Sequence, residues 1–230
     1  MDLASGKFTA HPDVDLKNYY TQIPITERLT LEDKFYIDKR WVDRLPKGSG
    51  EIDKVTAAIN AGETIKLNMG CGEDKLEGYF GVDKHHPSAD IKQDLTDLNL
   101  PDECADEILA SHIIEHIPQH RTIETITKWF NLLKTGGKLV MELPDMEKLC
   151  AAYVEADDQK RYELSLWIFG AAVNYIDDDV LKNGTPSPHL WGFTPKQMVE
   201  ILENVGFKSI EVLPQQGQHP GFNFRIEATK

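Results

Sequence analysis

From residue 64 onward, short apolar runs alternate with stretches of helical period. Runs at 64–69, 78–83, 89–93, 105–111, 138–143, 207–213 and 222–228 read as seven strands. Between them, residues 122–133 place Ile123, Ile126, Phe130 and Leu133 on one stripe, and Gly136 is set to end that helix. Residues 146–155 and 159–169 also read as helices, and 52–61 as a short one stopped by Gly62. This alternation predicts an α/β fold, a mostly parallel sheet with helices on both faces.

Residues 1–62 precede the alternating part. They carry Tyr19, Tyr20, Phe35, Tyr36 and Trp41 among many charges, with a helix-like mix at 31–43 that Thr30 is placed to cap. Aromatic residues serve packing and binding alike. The segment therefore reads as a helical flap packed on the core, a substrate lid or a homodimer contact. The second unit runs from 63 to 230 and contains an insertion at about 145–188. The acid triplet Asp177, Asp178 and Asp179 in that insertion reads as solvated surface. Because the insertion follows the fifth expected strand, it should lie over the carboxyl edge of the sheet, where ligands bind in open α/β folds, and shape the substrate pocket.

The 230-residue length suits one α/β domain with additions. A net charge of −13 argues against a nonspecific nucleic-acid surface, which needs a basic patch. Cys71, Cys104 and Cys150 have neither paired nor metal-type spacing, as expected of reduced thiols in a cytoplasmic protein. No run has the length of a membrane span, and no apolar segment of signal-peptide type follows the N-terminus.

The chemistry begins at Leu67-Asn-Met-Gly-Cys-Gly, where an apolar run ends in Gly70 and Gly72, and a second short run ends at Asp83. Glycines allow a tight turn and close approach of a ligand, and a carboxylate can accept from two ribose hydroxyls at once. A dinucleotide fingerprint fails, because Lys75 stands at the third glycine position and Asp83 comes too early. A phosphate loop fails for want of Gly-Lys-Ser/Thr. The stretch resembles motif I of the class I S-adenosylmethionine-dependent methyltransferases. That resemblance gives the loop Asn68, Gly70, Cys71 and Gly72 to the cofactor, and Asp83 to its ribose. It continues through Asp94-Leu95 beside the adenine, then Ser111-His-Ile-Ile-Glu-His116. Leu132 to Val140 resembles the family's helix, double-glycine turn and fifth strand. His189 to Pro195 followed by Ile201 to Phe207 resembles the family's last helix with its Ala-Gly-Phe ending, and the last two expected strands suit the antiparallel pair that closes its sheet. It implies a Rossmann-like class I fold with an antiparallel last strand, S-adenosylmethionine as cofactor, and Ser111, His112 and Glu115 as further contacts. One departure stands out. Only residues 73–78 separate the first two strands, too few for an ordinary crossover, so the first helix should be one turn or absent.

Methyl transfer is an in-line displacement that chiefly needs alignment, and a hydroxyl or ammonium acceptor must also lose a proton. His112, Glu115 and His116 would share one helix face at the ligand edge, making either histidine a base candidate. Asp145 and His189 are the others, Asp145 having an N-cap as its plainer role. Trp191 and Phe193 are expected to pack. The preferred reading is a methyltransferase acting on a small-molecule or glycan hydroxyl, with no metal and no membrane. An amine or protein side chain is the nearest alternative acceptor. Two rivals come from other classes. His112-Ile-Ile-Glu-His116 spells the inverted zinc-hydrolase signature, which requires one helix carrying both histidines. A non-catalytic cofactor-binding partner subunit would keep the glycines and Asp83 without turnover.

Overall fold

The computed structural model describes residues 53–72, 75–170, 188–214 and 221–230. The expected helix at 31–43 and the acid triplet lie outside them. Helix α1 (Asp53–Ala61) leads into strand β1 (Lys66–Met69), then β2 (Phe80–Val82) and β3 (Ala105–Ser111). A 3-10 turn at Ile114–His116 precedes α2 (Gln119–Leu132), β4 (Leu133–Pro144), α3 (Met146–Glu155) and α4 (Asp158–Phe169). The chain closes with α5 (Pro195–Val205), β5 (Lys208–Pro214) and β6 (Asn223–Thr229). Among the described residues the strands form one six-stranded sheet in the order β2-β1-β3-β4-β6-β5. Strands β2, β1, β3 and β4 are mutually parallel, and β6 runs antiparallel to both of its neighbours. This is a Rossmann-like class I arrangement.

The expected seventh strand is the main correction. Residues 89–93 contribute a single parallel bridge, Val82 to Ile91. Two local causes stop it growing. β2 is only three residues long, so it offers little edge to pair with. The Asp90 carboxylate also takes the Gly81 amide at 3.0 Å, replacing a ladder bond with a side-chain bond. No helix joins β1 to β2 among the described residues, as the short connection predicts.

The end of α2 is a second correction. The helix stops at Leu132, and Leu133 is already extended, paired with Ala105 and fully buried. Gly136 and Gly137 serve a bend inside β4 instead: Gly136 donates to the Lys230 carbonyl at 3.1 Å, and Lys230 donates back to Gly137 at 3.0 Å. The buried face of α2 is also displaced from the expected stripe. Thr122, Thr125, Ile126, Trp129 and Leu132 are the buried positions, with Ile123 and Phe130 at its margin. Trp129 shifts the face: its ring is wholly buried and its indole N–H donates to the Leu95 carbonyl at 3.1 Å.

One apolar cluster joins alternate residues of the strands, Leu67, Met69, Val82, Ile108, Ala110, Leu139, Met141 and Ile226, to Ile126 and Trp129 of α2 and Met198, Ile201 and Leu202 of α5. Val55 and Ala58 of α1 belong to the same cluster, so this helix is part of the core. The capping box of α5, Thr194 with Gln197, fixes where that helix begins. Among the described residues no helix is long and apolar enough to cross a membrane.

Candidate active site

The carboxyl ends of β1 to β4 form one rim. At its β1–β2 end the chain turns sharply. Gly70 and Gly72 adopt φ +67° and +50°, left-handed values that L side chains rarely hold. The Gly70 and Cys71 amides both donate to the Val82 carbonyl, at 2.8 and 3.2 Å. The two glycines then differ. A Cβ on Gly70 would lie 2.4 Å from Ile113 Cδ1, whereas one on Gly72 would meet nothing within 4 Å. Gly70 therefore lets the loop after β3 pack against the turn, and Gly72 borders open space.

Asp83 directly follows β2 and ties the turn together. Its Oδ2 accepts from the Gly72 amide at 3.2 Å, and its Oδ1 from the His85 and His86 amides at 2.8 and 2.9 Å. Asp94, on the next loop, accepts from the Thr96 amide and hydroxyl at 3.0 and 2.6 Å, and from Lys84 Nζ at 3.1 Å. Burial alone would raise its pKa, but these donors outweigh it and hold the carboxyl below its ordinary 3.8. Leu95 turns its carbonyl to Trp129.

Asn68 and Cys71 line a different space, a cavity of about 140 Å3 shared with Lys75, Leu76, Tyr79, Gly81, Ser88 and Asp90. It lies on the sheet face opposite Leu67 and Met69, and it is smaller than the roughly 300–1,000 Å3 of typical ligand sites. Tyr79 donates to Glu107 there, and burial with the Glu107 charge pushes its pKa up to about 12, so it is no base at neutral pH.

The rim at β3, β4 and β6 carries side-chain chemistry. Ser111 ends β3 opposite Glu142, and His112 follows with a left-handed φ of +51°. The expected helix through 112–116 is absent: Ile113 is not helical and only a three-residue 3-10 turn forms before Pro118. The histidines thus lack the common helix that the zinc-hydrolase signature needs. His112 Nδ1 nevertheless reaches Glu115 Oε1 at 3.2 Å, and its Nε2 lies 3.4 Å from Asn223 Nδ2. His116 Nδ1 lies 3.0 Å from the Pro188 carbonyl, and its ring meets the His189 ring edge-on, centroids 4.9 Å apart. Burial, partly countered by the Glu115 charge, lowers the His189 pKa below 6.5, leaving its imidazole neutral at physiological pH. The segment bearing His189 is clamped to this turn, because the Leu190 and Trp191 amides both donate to the Glu115 carbonyl, at 2.8 and 3.2 Å.

Asp145 stands apart from this group. It is buried and caps α3 through the Glu147 and Lys148 amides, at 3.1 and 3.3 Å, with Lys148 Nζ 3.3 Å from its other oxygen. Phe193 packs as expected, at 2% exposure, but Trp191 keeps 41% of its surface in solvent. Sequence reasoning missed Asn223 and Ile113. Neither carries a local signal, since each acts across the sheet rim on a residue distant in the chain.

Residues 78–141 match the protein-family model described as a methyltransferase domain. That match, with the sheet order, supports a class I S-adenosylmethionine-dependent methyltransferase domain. None of the curated proteins matches it. Among solved structures, a SAM-dependent methyltransferase from Archaeoglobus fulgidus is 17% identical with a TM-score of 0.48, over 88% of this chain and 99% of that one. One from Methanosarcina mazei is 17% identical with a TM-score of 0.48, over 72% and 91%. The Burkholderia thailandensis 1,6-didemethyltoxoflavin-N1-methyltransferase is 13% identical with a TM-score of 0.48, over 90% and 90%.

The residues of this methyltransferase fit its cofactor. Gly72 borders open space, and Asp83 uses three of its roughly four acceptor positions on backbone amides. One position is left for a ribose hydroxyl, where the sequence suggested two. The resemblance would give the loop of Asp94 and Leu95 to the base. Ile113 against Gly70 brings the His112–Glu115 group beside this cradle.

Proposed function

We propose that this methyltransferase acts on a hydroxyl of a small molecule or sugar, in the cytoplasm, with His112 as the base. S-adenosylmethionine supplies a sulfonium-bound methyl, and the chain has to hold the acceptor in line with it. A hydroxyl gives up its proton as it attacks, so a positioned imidazole accelerates the step. The observation that carries this reading is the Glu115–His112 pair. The Glu115 carboxylate orients Nδ1–H, and the Asn223 amide faces Nε2, so the lone pair sits on Nε2. This orienter–base pairing is the one used by nucleophile-activating sites generally. An acceptor amine stands as the alternative, since an ammonium would need the same deprotonation. The insertion at 145–188 is read as the element that shapes the acceptor pocket.

The test is methyl transfer from labelled S-adenosylmethionine to a panel of hydroxyl and amine acceptors. Activity with hydroxyls that falls sharply in His112→Ala, with cofactor affinity kept, is the expected outcome. Cofactor binding without any methylated product would favour the partner-subunit alternative. Transfer only to amines would move the acceptor class.

A further inference from the structure

We propose that Glu115, His116 and His189 form a binding site for one divalent cation of the zinc type. This goes beyond methyl transfer and does not rest on it, and it reverses the sequence expectation of no metal. Among the described residues these three bring one ligand atom each to within 4.8 Å of the others. His189 Nε2 lies 4.0 Å from Glu115 Oε1. Zinc bonds of about 2.0–2.1 Å set tetrahedral donors roughly 3.3 Å apart, so modest side-chain rotation closes the set.

Three observations point to a cation rather than to a chance cluster. The first is an orphan acceptor. Glu115 is 1% exposed, its Oε1 is bonded to His112, and its Oε2 has no hydrogen-bond partner. A buried carboxylate oxygen left unpaired is costly, and a cation would supply its partner. The second is tautomer control. A carbonyl can only accept, so His116 Nδ1 donates to Pro188 and the ring's lone pair is on Nε2. Metal-binding histidines are held in this way, one nitrogen on a carbonyl and the other on the ion. The third is the scaffold: two backbone bonds from 190 and 191 to the Glu115 carbonyl fix the His189 segment against the Glu115 turn before any ion arrives.

Two imidazoles and one carboxylate suit zinc, cobalt or iron(II) and leave coordination positions open. This is not the hydrolase arrangement suggested by the sequence. His112 bonds the Glu115 carboxylate and is not one of the three, and the third ligand comes from residue 189.

The test loads the full chain, stripped with chelator, with Zn2+ or Co2+, removes free ion by desalting, and measures bound metal by mass spectrometry. Co2+ absorption reports imidazole coordination without any turnover. About one equivalent is expected, with affinity lowered at least tenfold in Glu115→Gln and in His189→Ala, and unchanged in His120→Ala. Glu115→Gln keeps the shape of the side chain, and circular dichroism checks that each variant folds. Failure of the wild-type chain to retain either ion overturns the proposal, and so does equal retention by the His116→Ala/His189→Ala double variant. A chain that binds metal but transfers no methyl group leaves this site standing and removes only the hydroxyl reading.

Discussion

The two ends of the rim are built from different materials. At β1–β2 the contacts are made by backbone amides within 16 residues of one another in sequence: those of Gly70 and Cys71 donate to the Val82 carbonyl, and those of Gly72, His85 and His86 to the Asp83 carboxylate. At β3–β4–β6 the contacts are between side chains drawn from positions 112, 115, 116, 189 and 223. A backbone cradle holds a ligand common to a whole family, because it depends on chain conformation more than on side-chain identity. A side-chain cluster varies with each substitution and is where acceptor chemistry is set. The two meet at one contact, Ile113 against Gly70.

The sharpest way to break this division is at His112. His112→Ala should lower kcat by about 10²–10⁴-fold, the usual worth of a positioned base, with cofactor affinity within about twofold of wild type. Steady-state kinetics with calorimetry of S-adenosylhomocysteine binding separates the two effects. Parallel losses in both would mean that the β3 end also holds the cofactor.

The meeting point is tested next. Gly70→Ala carries both left-handed strain and overlap with Ile113, and should cost about 2–4 kcal/mol in chemical denaturation. Gly72→Ala carries the strain alone, about 1–2 kcal/mol, and should instead weaken cofactor binding, because its new methyl enters the open side of the turn. Ile113→Ala in the Gly70→Ala background should recover part of the loss, while the same change in Gly72→Ala should recover none.

Asp83→Ala tests the cradle. It removes three anchors of the turn and the acceptor proposed for a ribose hydroxyl. A hydrogen bond to a charged group is worth about 1.5–3 kcal/mol, so cofactor affinity should fall roughly 10–100-fold by calorimetry. Asp83→Asn should lose less, since its amide keeps one acceptor. An unchanged affinity in both would move the nucleoside elsewhere on the rim.

This contrast also explains what the sequence made legible. Gly70, Gly72 and Asp83 are close in the chain, and turn chemistry is local, so their meeting could be read directly. The span of β3, residues 105–111, and the start of α3 behind Asp145 were equally legible, because strand and cap signals are local too. The misses come from nonlocal competition. The 89–93 run has strand composition, yet Asp90 bonds to Gly81 and the edge is too short to extend. Leu133 has the right period for α2, but β3 claims it as a strand partner. Glu115 and His189 are separated by 74 positions, and only the fold places them together.

The smallest expected effect is at Asp94, on the loop beside the cradle. Its carboxyl titrates below its ordinary value in the folded chain because Thr96 and Lys84 favour the charged form over the opposing effect of burial. A depressed folded pKa contributes stability that is present above the unfolded value and lost as pH falls through the folded one. Asp94→Asn should therefore cost less than about 1 kcal/mol at neutral pH, as the Lys84 pair is partly solvated. The gap between variant and wild type should close as pH is lowered from about 5 to below 3.8, measured by urea unfolding at each pH. A gap that stayed constant over that range would assign the loss to the neutral part of the Thr96 turn. The Lys84 contact would then contribute nothing to holding this loop, and its role beside the adenine position would rest on shape alone.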